Sequence, residues 1–166
     1  MKRTLAHREK IRVAIIDDKV RSLWIPLRDM NLLLPNVAVA EIGSYRVPEE
    51  QADTPAWFLG KVRWRGEDIP VLSLEVLYGL SVSLNPVFSR LMILNSVRSG
   101  SPVSHYAIVT AGLPGLIQFG SDTLDDYELY EKDGLKCIVR IGNEQAVIPD
   151  LDYLQAMLEQ YIEIAA

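Results

Sequence analysis

Cysteine occurs once and histidine twice in the 166 residues, too few for an internal disulfide or for a metal site built from imidazoles and thiolates. The single thiol, Cys137, lies in the apolar run LKCIVRI, a setting that suits a small buried side chain and not a reactive nucleophile. Paired cysteines, HExxH, GxSxG, GxGxxG and GKS/T patterns are all missing, so the chain is read as non-catalytic, with no metal and no cofactor. Positive charge is also scarce. Seventeen Lys and Arg face 22 Asp and Glu, a formal net charge of -5, which gives no broad attraction to phosphate backbones and excludes nucleic acid as the expected partner. No stretch reaches the roughly eighteen apolar residues of a membrane span. The opening MKRTLAHREKIRVAIIDD scatters charges where a signal peptide needs an unbroken apolar segment. A soluble, cytoplasmic protein without membrane insertion is the expectation.

What the chain does have is apolar residues: 49% of it is hydrophobic, enough to bury the core of one domain or of two small lobes that share one. Five of the first twelve residues are Lys or Arg against one Glu, which marks residues 1–18 as a basic extension ahead of a domain over 19–163. Val13-Ala14-Ile15-Ile16-Asp17-Asp18 imitates the first strand and acidic pair of a phosphoacceptor receiver domain. That fold alternates strands with helices, whereas here strands follow strands. Asp122, Asp125, Asp126 and Glu128 form the densest carboxylate group, but their spacing fits no calcium loop and a solvated acidic loop is the simpler reading.

About nine short strands are predicted. They are Val20 to Leu27, the run Leu32 to Gly43 interrupted at Pro35-Asn36, two in the stretch Trp57 to Leu74, and then Arg90 to Ser96, Tyr106 to Ala111, Leu116-Ile117, Leu135 to Ile141 and Gln145 to Ile148. Glu75 to Leu80 has room for one helical turn closed at Gly79. Helical periodicity is clear only at the end. Pro149-Asp150 supplies start signals, and Leu151, Leu154, Met157, Leu158, Tyr161 and Ile162 form one apolar stripe. The pattern predicts an all-β protein, a barrel or pair of barrels closed by a C-terminal helix.

The segment TPAWFLGKVRWRGEDIPVLSL, Thr54 to Leu74, is the most structured part of the sequence. Thr54-Pro55 sets an extended entry, and Val62 and Trp64 share one face of a strand with Lys61, Arg63 and Arg65 assigned to the other. Gly66-Glu67-Asp68 is read as the turn and Ile69 to Leu74 as the returning strand, with Pro70 at an edge or bulge. Aromatic and Arg side chains are the types that anchor interfaces, so Trp57, Arg63 and Arg65 are candidate contact residues, Arg65 above all because it stands beside Gly66 at a hairpin tip. A competing reading takes the same Trp57, Trp64 and Arg-rich strand as a barrel face that stacks single-stranded nucleic acid.

At this hairpin the chain resembles the CheW-like domain of bacterial chemosensory signalling. Thr54, Pro55, Trp57, Phe58, Gly60, Arg65, Gly66, Ile69, Pro70, Val71 and Leu74 match the family pattern without a gap, and Val37 to Ile42 looks like its "V-x-E-I" strand. The resemblance implies two small SH3-like five-stranded barrels around a shared apolar core. It also implies an adaptor role joining the cytoplasmic tips of methyl-accepting chemoreceptors to the regulatory domain of a CheA-type histidine kinase, with recruitment to membrane receptor arrays. The Arg65-Gly66 corner and the strand carrying Val39 and Glu41 would form the receptor-contacting side. The chain departs from the family at Arg63-Trp64, at Ser73 and at Trp24, features that look like the divergent members found in type IV pilus (twitching) systems.

Overall fold

A computed structural model describes residues 19–81, 84–120, 123–132 and 134–165. The basic extension and the receiver-like segment before Lys19 lie outside the described residues. The element order is β1 (Val20–Pro26), β2 (Asn31–Pro35), a 3-10 turn (Asn36–Ala38), β3 (Val39–Ser44), β4 (Phe58–Trp64), β5 (Glu67–Leu72) and α1 (Leu74–Leu77). There follow β6 (Arg90–Asn95), β7 (His105–Thr110), β8 (Gly115–Phe119), β9 (Asp126–Lys132), β10 (Leu135–Ile141), β11 (Glu144–Pro149) and α2 (Leu151–Ala165). The strands form a six-stranded sheet, β8-β1-β2-β11-β10-β9, and a five-stranded sheet, β3-β6-β7-β5-β4.

Side-chain parity along the strands explains the layout. In β6, Leu91 and Ile93 join one apolar cluster while Met92 and Leu94 join another; in β7, Ala107 and Val109 divide in the same way from Tyr106 and Ile108. The first set, with Val62, Trp64, Ile69 and Val71, fills the concavity of the five-stranded sheet. The six-stranded sheet has its own interior of Leu33, Cys137, Val139 and Ala146, against which Trp24 packs. The alternate residues of both sheets, Ile25, Leu32, Leu34, Leu72, Met92 and Ile108 among them, meet in one shared core. Strands buried on both faces have no polar side to show, which is why LMIL and YAIV read as unbroken apolar runs.

Both sheets curl until their edges approach. Ile117 and Phe119 of β8 pack into the same interior as Tyr127 and Leu129 of β9, and across the other sheet side chains of β3 and β4 join, as described below. The helix α2 closes the shared core with Leu154 and Leu158, both fully buried. Its start is capped as the sequence predicts, the Asp150 carboxylate accepting the Tyr153 N–H at 3.1 Å. Gln155, fully buried, fixes the helix to the loop before β7: its amide accepts from Val97 N–H at 2.8 Å and donates to Ser96 Oγ at 2.6 Å and to the Val103 carbonyl at 3.1 Å.

Three expectations are corrected here. The run Leu32 to Gly43 is two strands in different sheets, with the 3-10 turn at the interruption carrying the chain across. The acidic segment is no loop throughout. Asp126–Lys132 is an edge strand whose Tyr127 and Leu129 point inward, an alternation that its acidic composition hides. These two changes raise the strand total from nine to eleven among the described residues. The hairpin turn is Arg65-Gly66, since Trp64 pairs with Glu67 and Asp68 already belongs to β5.

Candidate functional site

The site is built on the β4–β5 hairpin. A turn closed by Phe58 N–H on the Pro55 carbonyl at 3.0 Å brings the chain into β4, whose register then shifts between Phe58 and Gly60. Gly60 has φ +126°, and a Cβ there would lie 2.1 Å from the Glu49 carbonyl oxygen. Only glycine lets the 45–53 segment cross so close, where Glu49 and Lys61 exchange backbone hydrogen bonds at 2.8 and 3.0 Å. That crossing carries Arg46 toward the hairpin tip, and Arg46 Nη1 donates to the Arg63 carbonyl at 2.7 Å.

At the tip, Arg65 and Gly66 both have positive φ, +47° and +83°, the geometry of a two-residue type I′ loop. This backbone turns Arg65 away from its expected place. Alternation assigns it to the face opposite Trp64, but the strand ends at Trp64 and the guanidinium folds back over the indole, 4.7 Å from the ring centroid. There it meets Glu41 of β3 at 3.0 Å. The same carboxylate oxygen accepts the Trp64 indole N–H at 3.1 Å, so one acidic side chain ties the two edges of the five-stranded sheet together. Arg63 follows the alternation: it is exposed and pairs with Asp68 across the hairpin at 3.2 Å. His105 packs on Trp64 with ring centroids 4.7 Å apart.

Between the two edges lies an open cleft of about 390 Å³, lined by Glu41, Gly43, Ser44, Arg46, Arg63, Trp64 and Arg65 over Leu91 and Ile93. The structure thus gathers Arg65, Gly66, Arg63 and Glu41 of the expected contact residues at one corner. Val39 stands at the far end of β3, beyond a register shift, half-buried against the shared core. Trp57 is also elsewhere: its ring meets Tyr161 of α2 edge-on at 5.4 Å. Arg46 is the residue that sequence reasoning passed over, because a polar, proline-containing loop gives no sign of where it returns. The stacking reading loses its platforms here, since Trp64 is only 7% exposed and Trp57 is packed against the helix. Among the described residues no group of three or more His, Cys, Asp or Glu could hold a metal. Burial pushes the Cys137 thiol up to about 11, so it stays protonated at neutral pH.

A family model for the CheW-like domain matches residues 21–159, most of the chain. The chain belongs to the CheW-like family. No curated protein matches it significantly. Among solved structures, the scaffolding protein TtCheW from Thermoanaerobacter tengcongensis is similar at a TM-score of 0.67 and 15% identity, over 81% of this chain and 90% of that one. The two sheets with their C-terminal helix are therefore the two SH3-like barrels of the CheW fold. Ser73, a departure from the family pattern, caps α1 by accepting the Val76 N–H at 3.2 Å, so it keeps the role of a short polar residue at a helix start. No helix among the described residues is long and apolar enough to cross a membrane.

Proposed function

We propose that this CheW-like chain is a non-catalytic coupling adaptor, joining methyl-accepting chemoreceptor tips to the regulatory domain of a CheA-type histidine kinase. Family membership supports the class of role. The observation that carries the docking assignment is the Arg65-Gly66 corner, where a 68% exposed guanidinium is held at a hairpin tip by a side chain from a second strand. A pre-positioned Arg loses little rotamer freedom when a partner carboxylate arrives, which is what makes such a residue an anchor. Arrays that assemble reversibly need several contacts of micromolar strength, about 8 kcal/mol each, with avidity supplied by the lattice. An exposed corner of this size suits one such contact. The departures at Arg63-Trp64, Ser73 and Trp24 support placing the chain among the ChpC-type adaptors of type IV pilus systems, hence in twitching or surface sensing.

The test is co-precipitation from extract of the native cell. Wild-type protein is expected to retain a histidine kinase and a chemoreceptor, and Arg65→Glu to lose at least one of them while keeping the native circular dichroism. Capture of neither by the wild type, or undiminished capture by the variant, would refute the assignment.

A further inference from the structure

The cleft beside the hairpin corner contains a cation that no carboxylate of the described residues neutralises. Of its three arginines, Arg63 has Asp68 at 3.2 Å and Arg65 has Glu41 at 3.0 Å. Arg46, exposed on the crossing segment, has only the neutral Arg63 carbonyl at 2.7 Å. On a protein of net charge -5 this is a local excess of positive charge with a defined shape. Gly43 adds an independent observation. It lies in β3, where a glycine weakens a strand. Its backbone is outside the left-handed region, and a Cβ would meet no atom within 4 Å. Neither conformation nor crowding calls for glycine, and what its bare backbone does is leave the cleft open.

We infer that this cleft receives an acidic side chain of a protein partner, with Arg46 supplying the charge that holds the carboxylate and Gly43 the room for it. The choice of a protein as the source of that carboxylate rests on the adaptor reading. The chemistry rests on the cleft. An exposed guanidinium with one N–H given to a carbonyl retains donors enough to meet a planar carboxylate with two hydrogen bonds. A volume of about 390 Å³ is at the small end of ligand clefts, and the only aromatic ring in its wall is the buried Trp64, so there is no surface for base stacking. Among the described residues Arg46 has no ion-pair partner, so reversing its charge breaks none of their pairs.

The probe is a capped hexapeptide of sequence Glu-Leu-Glu-Glu-Leu-Glu and its all-Gln counterpart, titrated into the full ¹⁵N-labelled chain. The Glu peptide is expected to shift the amides of Gly43, Ser44 and Gly66 and the Trp64 indole N–H. The Gln peptide should bind about tenfold more weakly or worse, and added salt should weaken the Glu peptide further. Arg46→Glu and Gly43→Leu should each lose about tenfold in affinity with the rest of the spectrum unchanged, whereas Arg46→Lys keeps part of it. The inference is overturned if no shift occurs at millimolar peptide, if the Gln peptide binds as well, or if Arg46→Glu and Gly43→Leu both bind like the wild type. It is equally overturned if inorganic phosphate or single-stranded oligothymidylate moves the same amides more strongly. If Arg65→Glu abolishes partner capture while Arg46→Glu and Gly43→Leu leave peptide binding intact, the cleft falls and the adaptor stands. Peptide binding as expected with no kinase or receptor captured keeps the cleft and removes the adaptor.

Discussion

Replacing Arg65 with Asn separates a structural from a docking role at the hairpin corner. The variant loses an ion pair at 3.0 Å whose side chains are 68% and 42% exposed. Pairs so open to solvent are worth about 0.2–1 kcal/mol. It also loses the guanidinium 4.7 Å from the Trp64 ring centroid, about 0.5–1 kcal/mol at an exposed site. Against this stands the backbone. At φ +47° a residue with a Cβ sits in the left-handed region, at a cost of about 1–2 kcal/mol that Asn bears better than Arg, and Asn-Gly is the favoured pair for this turn. The indole N–H keeps its bond to Glu41 in either case. The sum lies within about 1 kcal/mol of zero, so the urea midpoint should move by less than about 0.5 M for a slope near 2 kcal/mol per molar. Partner capture should fall about tenfold or more, equivalent to about 1.4 kcal/mol of binding. Destabilisation beyond about 3 kcal/mol would show that the guanidinium holds the barrel together. Unchanged stability with unchanged capture would show that the corner is not where partners dock. An Arg at φ +47°, where the backbone prefers Asn or Gly, is a break of the local rule of the kind found at functional sites.

Three further outcomes follow from the packing. Gly60→Ala puts a Cβ 2.1 Å from the Glu49 carbonyl oxygen at φ +126°, and a loss above about 3 kcal/mol in urea melts is expected; a loss under about 1 kcal/mol would mean that the 45–53 crossing yields. Gln155→Leu leaves the buried Val103 carbonyl without its amide donor and removes the bonds to the Val97 N–H and Ser96 Oγ, which should cost about 1–3 kcal/mol and lower hydrogen-exchange protection in α2, whereas native-like protection would contradict the clamp. Burial raises Cys137 from 9.0 to about 11 and raises Tyr106 and Tyr78 above their ordinary value. In that window the unfolded chain binds fewer protons than the native one. The contribution of these groups should therefore be constant through neutrality and fall above about pH 9, by about 2–3 kcal/mol at pH 11 for the thiol alone, a part that Cys137→Ala removes from the slope.

The period-2 pattern made the hairpin legible because β4 buries one face cleanly: Val62 and Trp64 are inside and Arg63 is outside, as alternation requires. The same pattern misplaced Arg65 because the rule ends with the strand, and a type I′ turn redirects the next side chain through backbone angles that composition does not reveal. The apolar runs in β2, β6 and β7 identified strands but could not say which residue enters a barrel and which enters the shared core, since both destinations are dry. In β9 the reverse held. The alternation of Tyr127 and Leu129 was present, but four acidic or basic neighbours in seven positions masked it. Arg46 was out of reach for another reason, as a contact across a loop is fixed by where the chain returns.

A strand with both faces buried has only its edges and its turns to offer a partner. In the five-stranded sheet β5, β6 and β7 are flanked on both sides, leaving β3 and β4 as edges, and these are the strands that Glu41 and Trp64 pull together. Docking as proposed at this corner would therefore act on the same side chains that join the barrel's edges. Glu41 gives one carboxylate oxygen to both the Trp64 indole and the Arg65 guanidinium. A partner carboxylate that competes for Arg65 frees charge on Glu41 and draws the cation off the face of an indole that packs into the barrel interior. The change in surroundings falls on Trp64, the tryptophan inside that barrel, while Trp57 and Trp24 lie in other clusters. Binding at the tip must then be visible in the interior, and a partner that leaves the Trp64 indole N–H unshifted is docked somewhere else.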